Sequence, residues 1–168
     1  YRIADVGCGS GAIGLAIASE RKNSSVLCTD LCPCALELAK ENALNCGLGN
    51  VEFQQADLLS KVGAELDLIV SNPPYIRTDE IQHLMTDVRN FEPLMALDGG
   101  SDGLDFYRRL VSEADNHLRP GGILALEIGH DQKKAVKALF DESRGLDFLE
   151  SHQDLGGRDR VIVGQRIA

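Results

Sequence analysis

Short apolar runs with strand character alternate along this chain with segments whose apolar residues repeat at helical spacing, and that alternation most limits the fold. Residues 2 to 6 read as a first strand, followed by a glycine loop and a helix from about Ala12 to Arg21. Residues 26 to 29 read as a second strand. Pro33 is placed to open a helix, and Leu36, Ala39, Ala43 and Leu44 keep helical spacing to a stop near Gly47. Strands follow at 51 to 55 and 66 to 71. A helix is predicted from Gly103 to Leu118, closed by the turn Arg119-Pro120-Gly121-Gly122, then an apolar strand from Ile123 to Ile128 and a helix from Lys133 to Phe140. Residues 147 to 151 and 161 to 166 form a last pair of strands around Gly156-Gly157. Strands alternating with helices predict parallel βαβ units and an α/β, doubly wound sheet. Such sheets bind ligands beyond the carboxyl ends of their strands, and the polar motifs of this chain fall at those ends.

At 168 residues the chain fits one domain spanning 1–168. No apolar stretch approaches the roughly 18 residues that a membrane span needs. No charged-then-apolar leader precedes the first strand, so a cytoplasmic location and no membrane partner are expected. Strand-like sequence begins at Tyr1, which predicts that an upstream segment is missing. The net charge is −9, from 26 acidic and 17 basic residues. Non-specific affinity for nucleic acid comes from lysine and arginine neutralising phosphates, so direct binding of long DNA or RNA is not expected.

Asp5-Val6-Gly7-Cys8-Gly9-Ser10-Gly11 follows the first strand and opens the first helix. Glycines let backbone N–H groups approach a ligand, and a helix N-terminus favours anionic groups. Asp30 ends the second strand, where a carboxylate can accept hydrogen bonds from both ribose hydroxyls of an adenosine. Asp57-Leu58 follows the third strand, where an acid or a backbone N–H can meet the adenine edge. Gly9-Ser10-Gly11-Ala12-Ile13-Gly14 also fits the dinucleotide pattern. The loop alone therefore leaves S-adenosylmethionine and NAD both open. Asp5, just before the glycines, suits the cationic tail of the methyl donor. The next motif has no role in hydride transfer.

That motif is Asn72-Pro73-Pro74-Tyr75, at the end of the fourth strand. Each proline ring fixes φ and removes an N–H, so the turn is stiff and offers carbonyls, one side-chain amide and one aromatic face. Asn72 Oδ1 can accept one N–H of a planar NH₂ group and the Pro73 carbonyl the other, aiming the nitrogen at an electrophilic methyl. Tyr75 can lie against the planar group. Positioning of this kind supplies about 7–11 kcal/mol in the best cases.

Asp-x-Gly-x-Gly-x-Gly together with Asn-Pro-Pro-Tyr resembles the class I methyltransferases of planar nitrogens. Within them the chain resembles the HemK/PrmC family of protein-(glutamine-N5) methyltransferases. The resemblance is carried by residues 70–76, by Phe91-Glu92-Pro93-Leu94-Met95-Ala96-Leu97, and by residues 99–107, 126–129 and 154–160. It implies a Rossmann-like sheet of seven strands, mostly parallel, with an antiparallel last strand. It also implies S-adenosylmethionine as cofactor, S-adenosylhomocysteine as product, and a helical N-terminal docking domain that this chain lacks. The substrate implied is the glutamine of the Gly-Gly-Gln motif in peptide chain release factors. A ribosomal-protein glutamine, or an adenine N6 or guanine N2 amino group in nucleic acid, is the alternative. By resemblance Asp5, Gly7, Cys8, Gly9, Ser10, Gly11, Asp30, Asp57, Leu58 and Asn72 contact the donor, and Asn72, Pro73, Pro74 and Tyr75 hold the glutamine.

The remaining candidates have plainer readings. Cysteines 8, 28, 32, 34 and 46 lack the second pair or nearby histidine of a zinc site, so they read as free thiols and no metal is expected. Glu127 is either a polar site residue or a satisfied acid at the sheet edge. His130 reads as a surface group. Arg158 and Arg160 read as partners for acids of the last hairpin.

Overall fold

The computed structural model describes residues 1–85 and 93–167. Its main elements are β1 (Arg2–Val6), α1 (Ala12–Glu20), β2 (Ser25–Asp30), α2 (Pro33–Asn45), β3 (Val51–Gln55), β4 (Leu66–Ser71), α3 (Asp105–Glu113), β5 (Leu118–Glu127), α4 (Lys133–Glu142), β6 (Leu146–Gln153) and β7 (Asp159–Arg166). Pro33 occupies the first turn of α2, where its missing N–H has no intrahelical partner to lose. The helix ends where Gly47 donates to the Leu44 carbonyl and Leu48 to that of Ala43, the paired bonds that satisfy orphan carbonyls at a helix terminus.

The strands form one seven-stranded sheet in the order β3-β2-β1-β4-β5-β7-β6. β1 to β5 pair in parallel. β7 runs antiparallel between β5 and β6. The doubly wound sheet and its antiparallel last strand agree with the sequence reading. From β1 the chain winds outward through β2 and β3, then returns to the other side of β1 for β4. The seam between β1 and β4 is thus the switch point, the place beyond whose carboxyl end sheets of this kind bind ligands.

Side chains alternate across each strand, and the two faces bury different partners. Ile3, Val26 and Cys28 pack with Ala18 of α1 and Leu36 and Ala39 of α2. Ala4, Val6, Ile69, Leu124 and Leu126 pack with Tyr107 and Leu110 of α3 and Val136 and Phe140 of α4.

Two local differences from the sequence reading have physical causes. α3 starts at Asp105 and ends at Glu113, with a 3-10 turn at Ala114–Asn116, so it is shorter than the predicted 103–118. Gly103 lies at φ 73 and so outside the helix, while Leu118 is already paired with Leu66. Arg119-Pro120-Gly121-Gly122 falls within β5, where the register slips between the Leu66–Leu118 and Leu68–Ile123 pairs. Asp67 stabilises that bulge by accepting from Arg119 Nε at 2.6 Å and from the Arg2 backbone N–H at 2.7 Å.

Gly164 on β7 leaves room for the buried ring of Phe140. A Cβ there would lie 2.2 Å from Phe140 Cε1. Gly164→Ala is expected to lower stability by about 1–3 kcal/mol through overpacking. Urea denaturation measures this as a fall in midpoint at unchanged slope.

Candidate active site

The carboxyl ends of β1 and β4 carry the two motifs. Val6 and Ser71 are register partners, and the buried Ser71 Oγ donates to the Val6 carbonyl at 2.6 Å. The glycine loop therefore leaves the sheet directly beside the Asn72–Tyr75 turn.

Gly7, Gly9 and Gly11 take φ values of 68°, 55° and 83°, in the left-handed region that other residues reach only with strain. The loop is held from three sides. Cys8 N–H donates to the Thr29 carbonyl at 2.9 Å and Gly11 N–H to that of Cys8 at 2.8 Å. Asn42 on α2 donates to the Ser10 carbonyl at 3.0 Å. A Cβ on Gly7 or Gly9 would meet no protein atom within 4 Å, so the loop borders open space.

Asp30 closes β2 beside this loop. Its Oδ2 accepts from Gly9 N–H at 2.9 Å and its Oδ1 from Cys32 N–H at 2.8 Å. A carboxylate has about four acceptor sites, so each oxygen keeps one for a hydroxyl. Asp5 is placed differently. It is 1% exposed and lies beneath the loop, with Oδ2 accepting from Gly14 N–H at 2.7 Å. Burial pushes its pKa up from 3.8 to about 6; the Gly14 bond opposes the rise and the charge of Asp30 adds to it. Cys8 and Cys28 are buried, and a hydrogen bond to Cys28, together with burial, pushes the Cys8 thiol up, so it stays protonated. The described residues hold no group of three or more metal-ligating side chains.

The turn beyond β4 presents Asn72 to solvent while Pro73 is buried. Asn72 has no hydrogen-bond partner among the described residues, so both ends of its amide are available. Tyr75 is half-buried against the main core. Its phenol accepts from Arg160 Nη1 at 3.4 Å. Arg160 also lies 4.0 Å from Glu127 and 3.5 Å from Asp154, so Glu127 takes part in an ion pair at the rim. His130 is exposed.

A strap formed by residues 97–103 backs the turn. Ile76 N–H donates to Leu97 O at 3.0 Å, Gly99 N–H to Ile76 O at 2.8 Å and Thr78 N–H to Gly100 O at 3.0 Å. The approach is close: a Cβ on Gly99 would lie 2.7 Å from Tyr75 Cα. Beside the strap is a hollow of about 390 Å³ lined by Asp98, Gly100, Asp105, Phe106 and Arg109.

The structure brings the loop, Asp30 and Asn72–Tyr75 to the carboxyl ends of three adjacent strands, β1, β2 and β4. Asp57 and Leu58 serve the fold more visibly. Asp57 pairs with Arg109 of α3 at 3.0 Å, and Leu58 buries its side chain in the main core at φ 47. Phe91 and Glu92 lie outside the described residues. Sequence reasoning missed Gln132, a 4% exposed side chain that donates to the Tyr75 carbonyl at 2.9 Å. The available signal was a glutamine at the start of α4, a cap position that serine, threonine, asparagine and aspartate usually fill.

Three comparisons bear on this geometry. The model of the family described as Methyltransferase small domain matches residues 1–90. The chain is 45% identical to a release factor glutamine methyltransferase of Clostridium acetobutylicum, over 98% of this chain and 59% of that protein. It is 48% identical to one of Moorella thermoacetica, over 99% of this chain and 59% of that protein. It thus spans about three fifths of the length of these relatives. The fold matches that of a ribosomal protein L11 methylase from Lactobacillus delbrueckii subsp. bulgaricus, with a TM-score of 0.71 at 23% identity over 99% of this chain and 70% of that one.

The raised pKa of Asp5 gives a stability signature. The folded chain binds this proton more tightly than the unfolded one, so the group contributes stability at acid pH that is lost as pH rises from about 4 through 6. At neutral pH its charge destabilises the ligand-free fold by about 3 kcal/mol. Asp5→Asn is expected to be the more stable chain at neutral pH by up to that amount. The gap should shrink toward about pH 4, as measured by denaturant unfolding across the range.

Proposed function

The chain belongs to the methyltransferase small domain family, and on that premise we propose that it methylates the side-chain amide N5 of a glutamine, using S-adenosylmethionine. The glutamine we assign is that of the Gly-Gly-Gln motif in peptide chain release factors. The observation that carries this reading is Asn72, exposed and without a hydrogen-bond partner among the described residues, on a proline-stiffened turn beside the glycine loop. The relatives' names support the choice of substrate. The balance of −9 supports a protein rather than a nucleic acid.

The residues present fit the donor. The space above Gly7 and Gly9 is open to a ligand backbone, and Asp30 has two free acceptor sites for a ribose diol. Asp5 places a buried negative charge under the loop, where a cationic amino-acid tail would restore its ordinary pKa. Bound there, the donor supplies an electrophilic methyl on a sulfonium.

The protein's own contribution is orientation. An amide nitrogen is a weak nucleophile because its lone pair is shared with the carbonyl. Asn72 Oδ1 accepts one N–H and the Pro73 carbonyl the other, so the nitrogen is fixed with its remaining face toward the crevice. The same oxygens stabilise the positive charge that grows on nitrogen as the new bond forms. Once methylated, the nitrogen is strongly acidic and loses its proton to solvent without a dedicated base. Tyr75, braced by Arg160, supplies a flat wall for the amide.

The test is incubation of the chain with labelled donor and a release factor bearing Gly-Gly-Gln, followed by mass spectrometry. One methyl group on that glutamine is expected. Asn72→Ala should fold but turn over about a hundredfold more slowly or worse. Near-normal turnover by that variant would refute the orientation. A label found on ribosomal protein or nucleic acid instead would reassign the substrate.

A further inference from the structure

Gln132 is a buried amide to which the reaction above gives no direct part, and its side chain makes four polar contacts, with Tyr75 of the turn and with Gly103, Tyr107 and Gly129. Nε2 donates to the Tyr75 carbonyl at 2.9 Å and the Gly103 carbonyl at 3.1 Å. Oε1 accepts from Gly129 N–H at 3.0 Å. Tyr107 Oη, which donates to the Glu127 carbonyl at 2.9 Å, lies 3.5 Å from the same oxygen. This network sets the orientation of the amide: a flip would turn its oxygen toward two carbonyls and its NH₂ toward an N–H.

The slot around this side chain is built by missing side chains. A Cβ on Gly103 would lie 2.4 Å from Tyr75 O and 2.6 Å from Gln132 Nε2. One on Gly129 would lie 2.7 Å from Gln132 Oε1. The end of β5, the start of α4, the strap before α3 and the turn after β4 thus meet at a single amide. Prolines 73 and 74 make the turn rigid within itself, so its placement depends on what grips its far end. Tyr75 is that end, and among the described residues its carbonyl is gripped by Gln132.

We propose that Gln132 is a positioning residue: it fixes the height of the Asn72–Tyr75 turn over the crevice by holding the Tyr75 carbonyl, and so sets how the substrate amide faces the donor. Its kinetic consequence rests on the glutamine-amide reading. Its structural consequence does not. An apolar side chain of equal length leaves two buried carbonyls unsatisfied, and the turn must shift or admit water to satisfy them. The glycine loop and Asp30 are held by bonds that do not involve Gln132, so donor binding is spared.

The test compares the full chain with Gln132→Met, which keeps the volume, and Gln132→Glu, which keeps the shape and turns the donating end into an acceptor. Three quantities are read: donor affinity by calorimetry, kcat and KM for methyl transfer to the glutamine substrate, and hydrogen exchange. For both variants, donor affinity within twofold of wild type is expected, with kcat at least tenfold lower. Faster exchange at the Ile76 and Thr78 amides is expected, with β1 and β2 unchanged. A wild-type kcat with unaltered exchange at residues 76 and 78 overturns the proposal. So does loss of donor binding by both variants, which would make Gln132 a support of the whole fold. If the wild-type chain methylates no glutamine, the substrate reading fails, and the exchange comparison still decides the role of Gln132.

Discussion

A buried hydrogen bond from Ser71 Oγ to the Val6 carbonyl, 2.6 Å long, stands at the seam on which the site is built. It joins the last residues of two parallel strands just before each chain leaves the sheet. One exit becomes the glycine loop and the other the proline turn. Ligand crevices of doubly wound sheets open where neighbouring strands send their connections in opposite directions. Here β2 and β3 lie to one side of that seam and β5, β7 and β6 to the other. Fixing Val6 against Ser71 fixes the spacing between the glycine loop and the proline turn.

The loop and the turn on either side of this seam are stabilised by different physics. The loop half stores an electrostatic cost, a carboxylate almost wholly removed from water and held by one backbone N–H. That cost is small against the apolar burial around α1 and α2 and is relieved when a cation arrives. The turn half stores no charge. It is held by backbone hydrogen bonds to the strap and by one side-chain amide, and it needs glycine at 99 and 103 because the strap approaches too closely for any Cβ. Substitutions in the first half are thus expected to trade affinity for stability. Substitutions in the second half trade geometry.

Much of this was legible in the sequence because it is local. Strand and helix periodicity, Pro33 at a helix start and glycines at strand ends each act within a few residues, and they gave the α/β class and the winding. The meeting of Gly7–Gly11, Asp30 and Asn72–Tyr75 followed from placing each at a strand's carboxyl end. What escaped is long-range. Gln132 reaches Tyr75 across 57 residues and Gly103 across 29, and no pattern near Gln132 announces either partner. Arg160 was read as a partner for acids alone, yet it also reaches the Tyr75 phenol across 85 residues. The burial of the Leu58 side chain with Val6 and Leu59 was equally unannounced by its neighbours in sequence. The Arg119–Gly122 stretch looked like a turn because its composition is that of one. Pairing of its flanks with β4 draws it into a strand.

The place of β7 has a consequence for the order in which the molecule comes into being. β6 leaves the ribosome first but pairs only with β7, which inserts between it and β5. Arg160 lies on β7 and so is made after β6. A nascent or prematurely stopped chain that lacks β7 can assemble the cradle of β1 and β2 with all its own hydrogen bonds. It leaves β6 without a neighbour and the Tyr75 phenol without its brace. The seam of β1 and β4 can in this way assemble before β7 is made, while the brace on the proline turn has to wait for it.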